Sequence, residues 1–250
     1  MDDIRSRDFV LTREQLQTMA NFMVKTPRDL LLSEECRRFL ALDRWKKNRH
    51  LRVHSDTDSG VMPGTIEHNR KELEKDAFGS ARRTLRLINP LTALEPVYSM
   101  APQLKVLSIG PRTEMELFHL MGVGFSHPNI HAVDLISSSP LIDTGDMHKL
   151  PYPDRSFHVT ISSWVLAYSS NPQLAIDEML RVTAHGGLVA IGVTYDPATD
   201  QVKTDITGCN YGTADELKGL IGPKLDKVHF EQDPAGKKGG VMLIARIKHK

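Results

Sequence analysis

Two cysteines in 250 residues, Cys36 and Cys209, leave no material for a disulfide framework, a cysteine-rich zinc module or an iron–sulfur ligand set. An excess of one charge sign is missing too. With 32 basic against 31 acidic side chains the formal charge is +1, which excludes a histone-like polycation. Glycine and proline, 17 and 14 residues, stay near ordinary usage, so collagen-like and long disordered tracts are excluded. The densest apolar run, Val241 to Ala245, is five residues long, far short of the roughly 18–20 that span a bilayer. No membrane association is expected. The segment after Met1 has no apolar h-region, so it does not read as a secretory signal. The 11 histidines show neither H-E-x-x-H spacing nor a surrounding cysteine or carboxylate cluster, so no metal site is expected. These exclusions leave a reduced, cytoplasmic, soluble protein, with 40% hydrophobic residues to build a sizeable core.

Two unequal parts are present, and no internal repeat. Residues 1 to 100 are helical, charged and irregular, and are expected to form a cap or substrate region. Thr12 to Gln15 has the form of a capping box, with Leu16, Met19, Ala20, Met23 and Val24 following on one helical face. Thr26-Pro27 restarts the chain, and residues 55 to 65 read as a turn-rich loop. Residues 101 to 250 form the second part, where strand and helix signals alternate. Strands are expected at 105–109, 129–134, 157–162 and 188–193, and helices from Thr113 to Met121 and from Pro172 to a stop at Gly186-Gly187. Thr213 to Glu216 caps a further helix ending at Gly222-Pro223. The terminal strands, 224–231 and 241–248, are joined by a loop too short for a helical crossover, so they should be antiparallel. The expected fold class is α/β: a Rossmann-like open sheet, mainly parallel with an antiparallel last strand, helices on both faces, and a helical N-terminal extension.

In such sheets ligands sit at the carboxyl ends of the strands, near the point where strand order reverses. Four segments stand there: Gly110-Pro111-Arg112-Thr113-Glu114, Asp134-Leu135, the run from Gly145 to Phe157, and Ser162-Ser163-Trp164-Val165-Leu166. Gly145-Asp-Met-His-Lys-Leu-Pro-Tyr-Pro-Asp-Arg-Ser-Phe157 resembles the G-D-A-x-x-L-P-F-P-D-x-S-F-D segment of the class I S-adenosylmethionine-dependent methyltransferases, in their small-molecule type 11 branch. The stretch from Ala175 to Gly187 is similar to the same family's helix ending in E-x-x-R-V-L-K-P-G-G. The resemblance runs from about Lys105 to Val193. It implies S-adenosyl-L-methionine as cofactor and methyl transfer to a small-molecule acceptor, by O- or N-methylation, as the activity.

Carried over position by position, the resemblance assigns Ser108, Gly110, Pro111 and Arg112 to the first cofactor motif. Asp134 and Leu135 fall at the ribose, Asp146 and Met147 at the adenine, and Ser162 and Ser163 beside the methionine portion. Asp143 competes with Asp146 if the register slips. The first motif departs from the family's V-L-D-I-G-x-G-x-G: Ser108 replaces the acid, and Arg112 and Glu114 replace glycines. Arg112 either offers its planar donor fork to the methionine carboxylate or points to solvent in a decayed site. In the second case the chain is a non-catalytic methyltransferase-like binding protein. A nicotinamide-dependent oxidoreductase, a third reading, lacks G-x-G-x-x-G and leaves the Gly145–Phe157 segment unexplained.

On the acceptor side the resemblance places Tyr168, with Tyr195 at the same sheet edge; either shapes an acceptor pocket or is a rim aromatic. His148 is expected near the adenine end or exposed, and His158 is expected to be structural. From Cys36 to His54 seven cations (Arg37, Arg38, Arg44, Lys46, Lys47, Arg49, Arg52) face Asp43 alone. They read either as a patch for an anionic substrate or as a solvated helix face balanced by Glu34 and Glu35. No interleaved aromatics accompany them, which argues against nucleic acid as a partner.

Overall fold

The computed structural model describes residues 11–55, 60–76, 82–198 and 209–249. The chain begins with α1 (Arg13–Lys25), a 3-10 segment (Pro27–Leu32), α2 (Glu34–Lys47), β1 (Arg52–Val53), α3 (Thr65–Asp76), α4 (Arg82–Thr92) and α5 (Val97–Met100). The alternating part follows: β2 (Val106–Ile109), α6 (Met115–Gly122), β3 (Ile130–Asp134), β4 (Ile136–Ser137), β5 (Asp143–Thr144), β6 (Phe157–Ser163), α7 (Pro172–Val182) and β7 (Thr183–Tyr195). It closes with α8 (Ala214–Ile221), β8 (Leu225–Gln232) and β9 (Gly239–Ile247).

Seven strands pair in the order β5-β3-β2-β6-β7-β9-β8, and β1 pairs separately with β4. Pairs within β5, β3, β2, β6 and β7 are parallel, while β9 runs antiparallel to both β7 and β8. The reversed strand is therefore the last one, inserted between two others. From β2 the chain winds outward to β3 and β5, then returns to β6 and winds the other way. The switch point lies between the carboxyl ends of β2 and β6, where the crossovers leave a crevice.

Both faces of the sheet are covered. On one, α7 contributes Ala175, Ile176, Met179, Leu180 and Val182, and α8 contributes Ala214, Leu217 and Ile221. On the other, Leu87, Ile88 and Leu91 of α4 pack on Val159, Ile161, Ala190 and Ile244. Burial of each such side chain contributes about 1.5–3 kcal/mol. Thus α4 covers the sheet although it lies among the first hundred residues. Local caps fix the helix starts. Thr12 with Gln15 and Thr213 with Glu216 form complete capping boxes, and Asn171 accepts from the Leu174 amide.

Helix α7 stops at Val182, earlier than the Gly186-Gly187 expected from the sequence. The Thr183 hydroxyl donates to the Met179 carbonyl at 2.7 Å and meets the Thr160 hydroxyl at 2.8 Å, turning the chain into β7 at once. Pairing runs from Phe157↔Thr183 to Val159↔Leu188, so the two glycines sit in a bulge.

Gly110 turns the chain off β2 at φ 71°, in the left-handed region. A Cβ there would overlap Val165, which follows β6 across the switch point. Gly110→Ala is therefore expected to cost about 1–3 kcal/mol for the backbone alone, with overpacking adding to it. Urea denaturation should show a lowered midpoint; an unchanged midpoint would refute this packing.

Candidate functional site

The site is built on the end of β3. Asp134, 7% exposed, accepts the Arg112 amide at 2.8 Å on Oδ2 and the Ile136 amide at 3.3 Å on Oδ1. Its own carbonyl accepts the Gly145 amide at 2.9 Å. Burial pushes the Asp134 carboxyl upward, opposed by these amides and the Arg112 charge. A carboxylate offers about four lone-pair sites, so two amides leave acceptor capacity for a diol. Arg112 itself is left-handed, φ 55°, at a position where the family pattern has glycine.

Asp146 lies on the next turn, where Gly145 is required because a Cβ would come within 2.8 Å of Val133. Asp146 Oδ1 accepts the His148 amide at 2.9 Å and meets His148 Nδ1 at 2.6 Å. His148 Nε2 lies 2.6 Å from Ser169 Oγ, which also accepts the Asn171 amide at 3.0 Å. With Nδ1 protonated toward the carboxylate, Nε2 accepts the serine proton and the relay is satisfied. His148 is buried rather than exposed, and it ties the Asp146 turn to the loop after β6. Sequence reasoning missed this link, since residues 148 and 169 carry no shared motif.

The N-terminal segment closes the top. The Met62 amide donates to the Tyr168 carbonyl at 3.0 Å, and the Ser170 amide to the Gly60 carbonyl at 2.8 Å. Behind this strap α3 presents Thr65 and Asn69, one turn apart on one face, to the crevice. The Arg112 guanidinium donates to Asn69 Oδ1 at 2.8 Å, latching α3 to the loop after β2. The Tyr168 hydroxyl lies 3.4 Å from His68 Nε2, with the rings 5.7 Å apart.

A cavity of about 470 Å³, counted to its open mouth, results. Gly110, Arg112, Asp134, Leu135, Asp146, Met147 and Tyr168 line it, with Ile109, Val133 and Val165 as apolar walls. The other predicted positions lie elsewhere. Pro111 is within the loop, outside the lining. Ser108 is buried in β2 and donates to Glu116 at 2.6 Å. Ser162 and Ser163 are buried at the end of β6, and the Ser163 hydroxyl has no hydrogen-bond partner among the described residues. Tyr195 packs near Gly212. The Asp143 carboxylate is outside the cavity and accepts the Tyr152 hydroxyl at 2.9 Å. Glu114 turns away from the cavity to Arg44 and, at 2.5 Å, the Ser139 hydroxyl. His158 Nδ1 accepts the Lys105 amide at 3.0 Å.

The donor set fits a nucleoside carrying an amino acid. Asp134 supplies a buried diol acceptor, Leu135 and Met147 supply apolar walls for a base, and Asn69, Arg112 and Tyr168 supply polar groups opposite. Among the described residues no His, Cys, Asp or Glu group could hold a metal ion, and no helix is long and apolar enough to cross a membrane.

Below the cavity, Glu116 of α6 brings a carboxyl group to the Ser108 position, where the family pattern carries its acid. Ser108 and Thr84 bond it, yet complete burial beside Asp134 pushes its pKa up to about 7. In the unfolded chain the same carboxyl ionises near 4.5. Its contribution to stability is thus full below the unfolded value and lost as pH rises through the folded one. Glu116→Gln has no such titration. The melting temperature of the wild type should fall relative to the variant between about pH 5 and about pH 8. A constant gap would show that Glu116 ionises normally.

Comparison with known proteins agrees with the geometry. Residues 112–191 match the model of the type 11 methyltransferase domain. A malonyl-[acyl-carrier protein] O-methyltransferase of Halorhodospira halophila is 32% identical over 167 residues, covering 56% of this chain and 55% of that protein. An arsenite methyltransferase of Halobacterium salinarum is 37% identical over 94 residues, covering 35% of this chain and 23% of its own length. The chain thus spans about half the length of one curated relative and less of the other. Among solved structures, a methyltransferase in complex with the Haloferax volcanii Trm112 activator superposes with a TM-score of 0.56 at 16% identity. That match covers 72% of this chain and 98% of the other, and it shows the fold. Motif, sheet order and domain match agree: residues 112–191 are similar to the methyltransferase domain of the type 11 family, on a Rossmann-like sheet.

Proposed function

We propose that the chain transfers the methyl group of S-adenosylmethionine to a small-molecule acceptor, at oxygen or nitrogen. The observation that carries this reading is one cavity at the switch point that joins Gly110, Asp134, Asp146, Met147 and Tyr168. In this reading Asp134 accepts the ribose hydroxyls, Leu135 and Met147 flank the adenine, and Asp146 accepts its amino group. The cofactor, when bound, supplies a methyl group on a sulfonium that leaves as a neutral thioether, so the leaving group needs no acid. The protein's share is to align the acceptor and exclude water. Tyr168, on the α3 side of the cavity, orients the acceptor, while residues 1–100 serve as cap and residues 101–250 as cofactor domain. The two curated relatives carry different acceptors in their names, so the acceptor is not inherited from similarity.

Calorimetric titration with S-adenosylhomocysteine tests the reading. Binding is expected in the wild type, and Asp134→Ala should weaken it about ten- to hundredfold, the value of a charge-assisted hydrogen bond. Equal affinity in a folded Asp134→Ala protein would remove Asp134 from the ribose site.

The bond between Arg112 and Asn69 favours a second reading, a non-catalytic binding protein, because the guanidinium is already engaged across the cavity. If the methionine carboxylate draws Arg112 from Asn69, then both Arg112→Ala and Arg112→Gly should bind S-adenosylhomocysteine about tenfold more weakly. If Arg112 obstructs the cavity, both variants bind more tightly and the second reading prevails.

A further inference from the structure

Beside the cofactor cavity runs a wider groove of about 1140 Å³. Trp45 and Arg49 border it from α2 and the segment after it, Leu51 and Val53 from the stretch around β1, and Arg70 and Leu73 from α3. Four of the six are apolar or aromatic, and among the described residues no acid lines it. The two cations are distinctive in what they lack. In the basic segment Arg37 is spent on the Leu31 and Leu32 carbonyls, and Arg52 on those of Ser139 and Ile142. Arg38 pairs with Glu34, Arg44 with Glu114 and Lys47 with Asp43. Neither Arg49 nor Arg70 bonds a carboxylate or carbonyl among the described residues. Two uncommitted guanidinium forks thus border an apolar floor, while the other arginines of the basic segment are bonded within the fold.

The groove and the cofactor cavity border a common neighbour. A second cavity, about 660 Å³, shares Trp45 and Leu73 with the groove and Arg112 with the cofactor cavity. We infer that the groove binds the anionic end of an elongated methyl acceptor, an organic phosphate whose apolar stem lies on Trp45, Leu51 and Val53. This rests on the methyltransferase reading for the acceptor's role, though not for the binding itself. Phosphate is the matching anion because two planar forks supply paired donors to its oxygens and balance its two charges.

Octyl phosphate serves as probe, with n-octanol and inorganic phosphate as controls. Trp45 is one of only two tryptophans, and the other, Trp164, is buried against the sheet, so the quenching that a Trp45→Phe variant loses reports the groove. Octyl phosphate should quench wild-type emission saturably and bind more tightly than either control. The exposed double substitution Arg49→Gln, Arg70→Gln should weaken that binding at least about tenfold and leave S-adenosylhomocysteine affinity unchanged. Octyl phosphate binding no better than octanol or phosphate, or equally well in the double variant, overturns the inference. Wild-type protein that binds octyl phosphate but not S-adenosylhomocysteine would retain the phosphate site and overturn the methyltransferase reading instead.

Discussion

Asp134 ends β3 inside the protein, and three segments hang on it. Its carboxylate holds the amides of Arg112 and Ile136, and its carbonyl holds that of Gly145. The loop after β2, the turn carrying Asp146 and the path into β4 are thereby set around one residue. A buried carboxylate is costly unless hydrogen-bonded, so the amides must stay where they are. That fixes Arg112 in a left-handed conformation and aims its guanidinium at Asn69. The cap inherits its position from the same place: the His54 amide donates to the Leu135 carbonyl, one residue beyond. The cavity and the docking of the N-terminal segment both follow from how one acid is solvated.

The family's first motif normally places acid and glycines together in one short loop. Here the acid comes from elsewhere. Ser108 bears only a neutral hydroxyl, and Glu116 reaches it from the first turn of α6. The substitution is not neutral, because a carboxyl on α6 is wholly buried and faces Asp134, whereas two ionised groups so placed would repel. Glu116 accepts the Ser108 hydroxyl, and protonation would remove its charge from beneath the cavity. The acid of the family's first motif thus has a counterpart on a second element, α6.

What the sequence made legible follows the range of each interaction. Helices α7 and α8 and the strands β2, β3 and β6 carry their signals locally: caps within three residues, apolar runs, glycine turns. The reversed last strand followed from a short connection. The clustering of Gly110, Asp134, Asp146 and Tyr168 was legible because it is set by strand ends in a known order. By contrast β1 and β4 are two residues each and pair 85 and 83 positions apart, Arg52 with Ser137 and Val53 with Ile136, with no local pattern to announce them. The bond from Arg112 to Asn69 spans 43 residues, and the one from Glu114 to Arg44 spans 70. Both depend on where α2 and α3 dock, which composition does not encode. The expected helix stop at Gly186-Gly187 fails for a related reason: Thr183 finds tertiary partners before the glycines are reached.

The basic segment shows how such long-range bonds decide function. As a string of seven cations it admits either a solvated face or an anion patch. The folded chain divides the string. Arg37 ties α2 to the 3-10 segment before it, Arg44 and Arg52 fasten α2 and β1 to Glu114 and to the Ser139 and Ile142 carbonyls, and Arg38 and Lys47 pair along their own helix. A guanidinium bound to carbonyls or to a buried carboxylate has little left to offer a ligand, whereas an exposed and unpaired one loses little on meeting an anion. Ligand specificity in this region therefore depends less on the number of charges than on which of them the fold has left uncommitted.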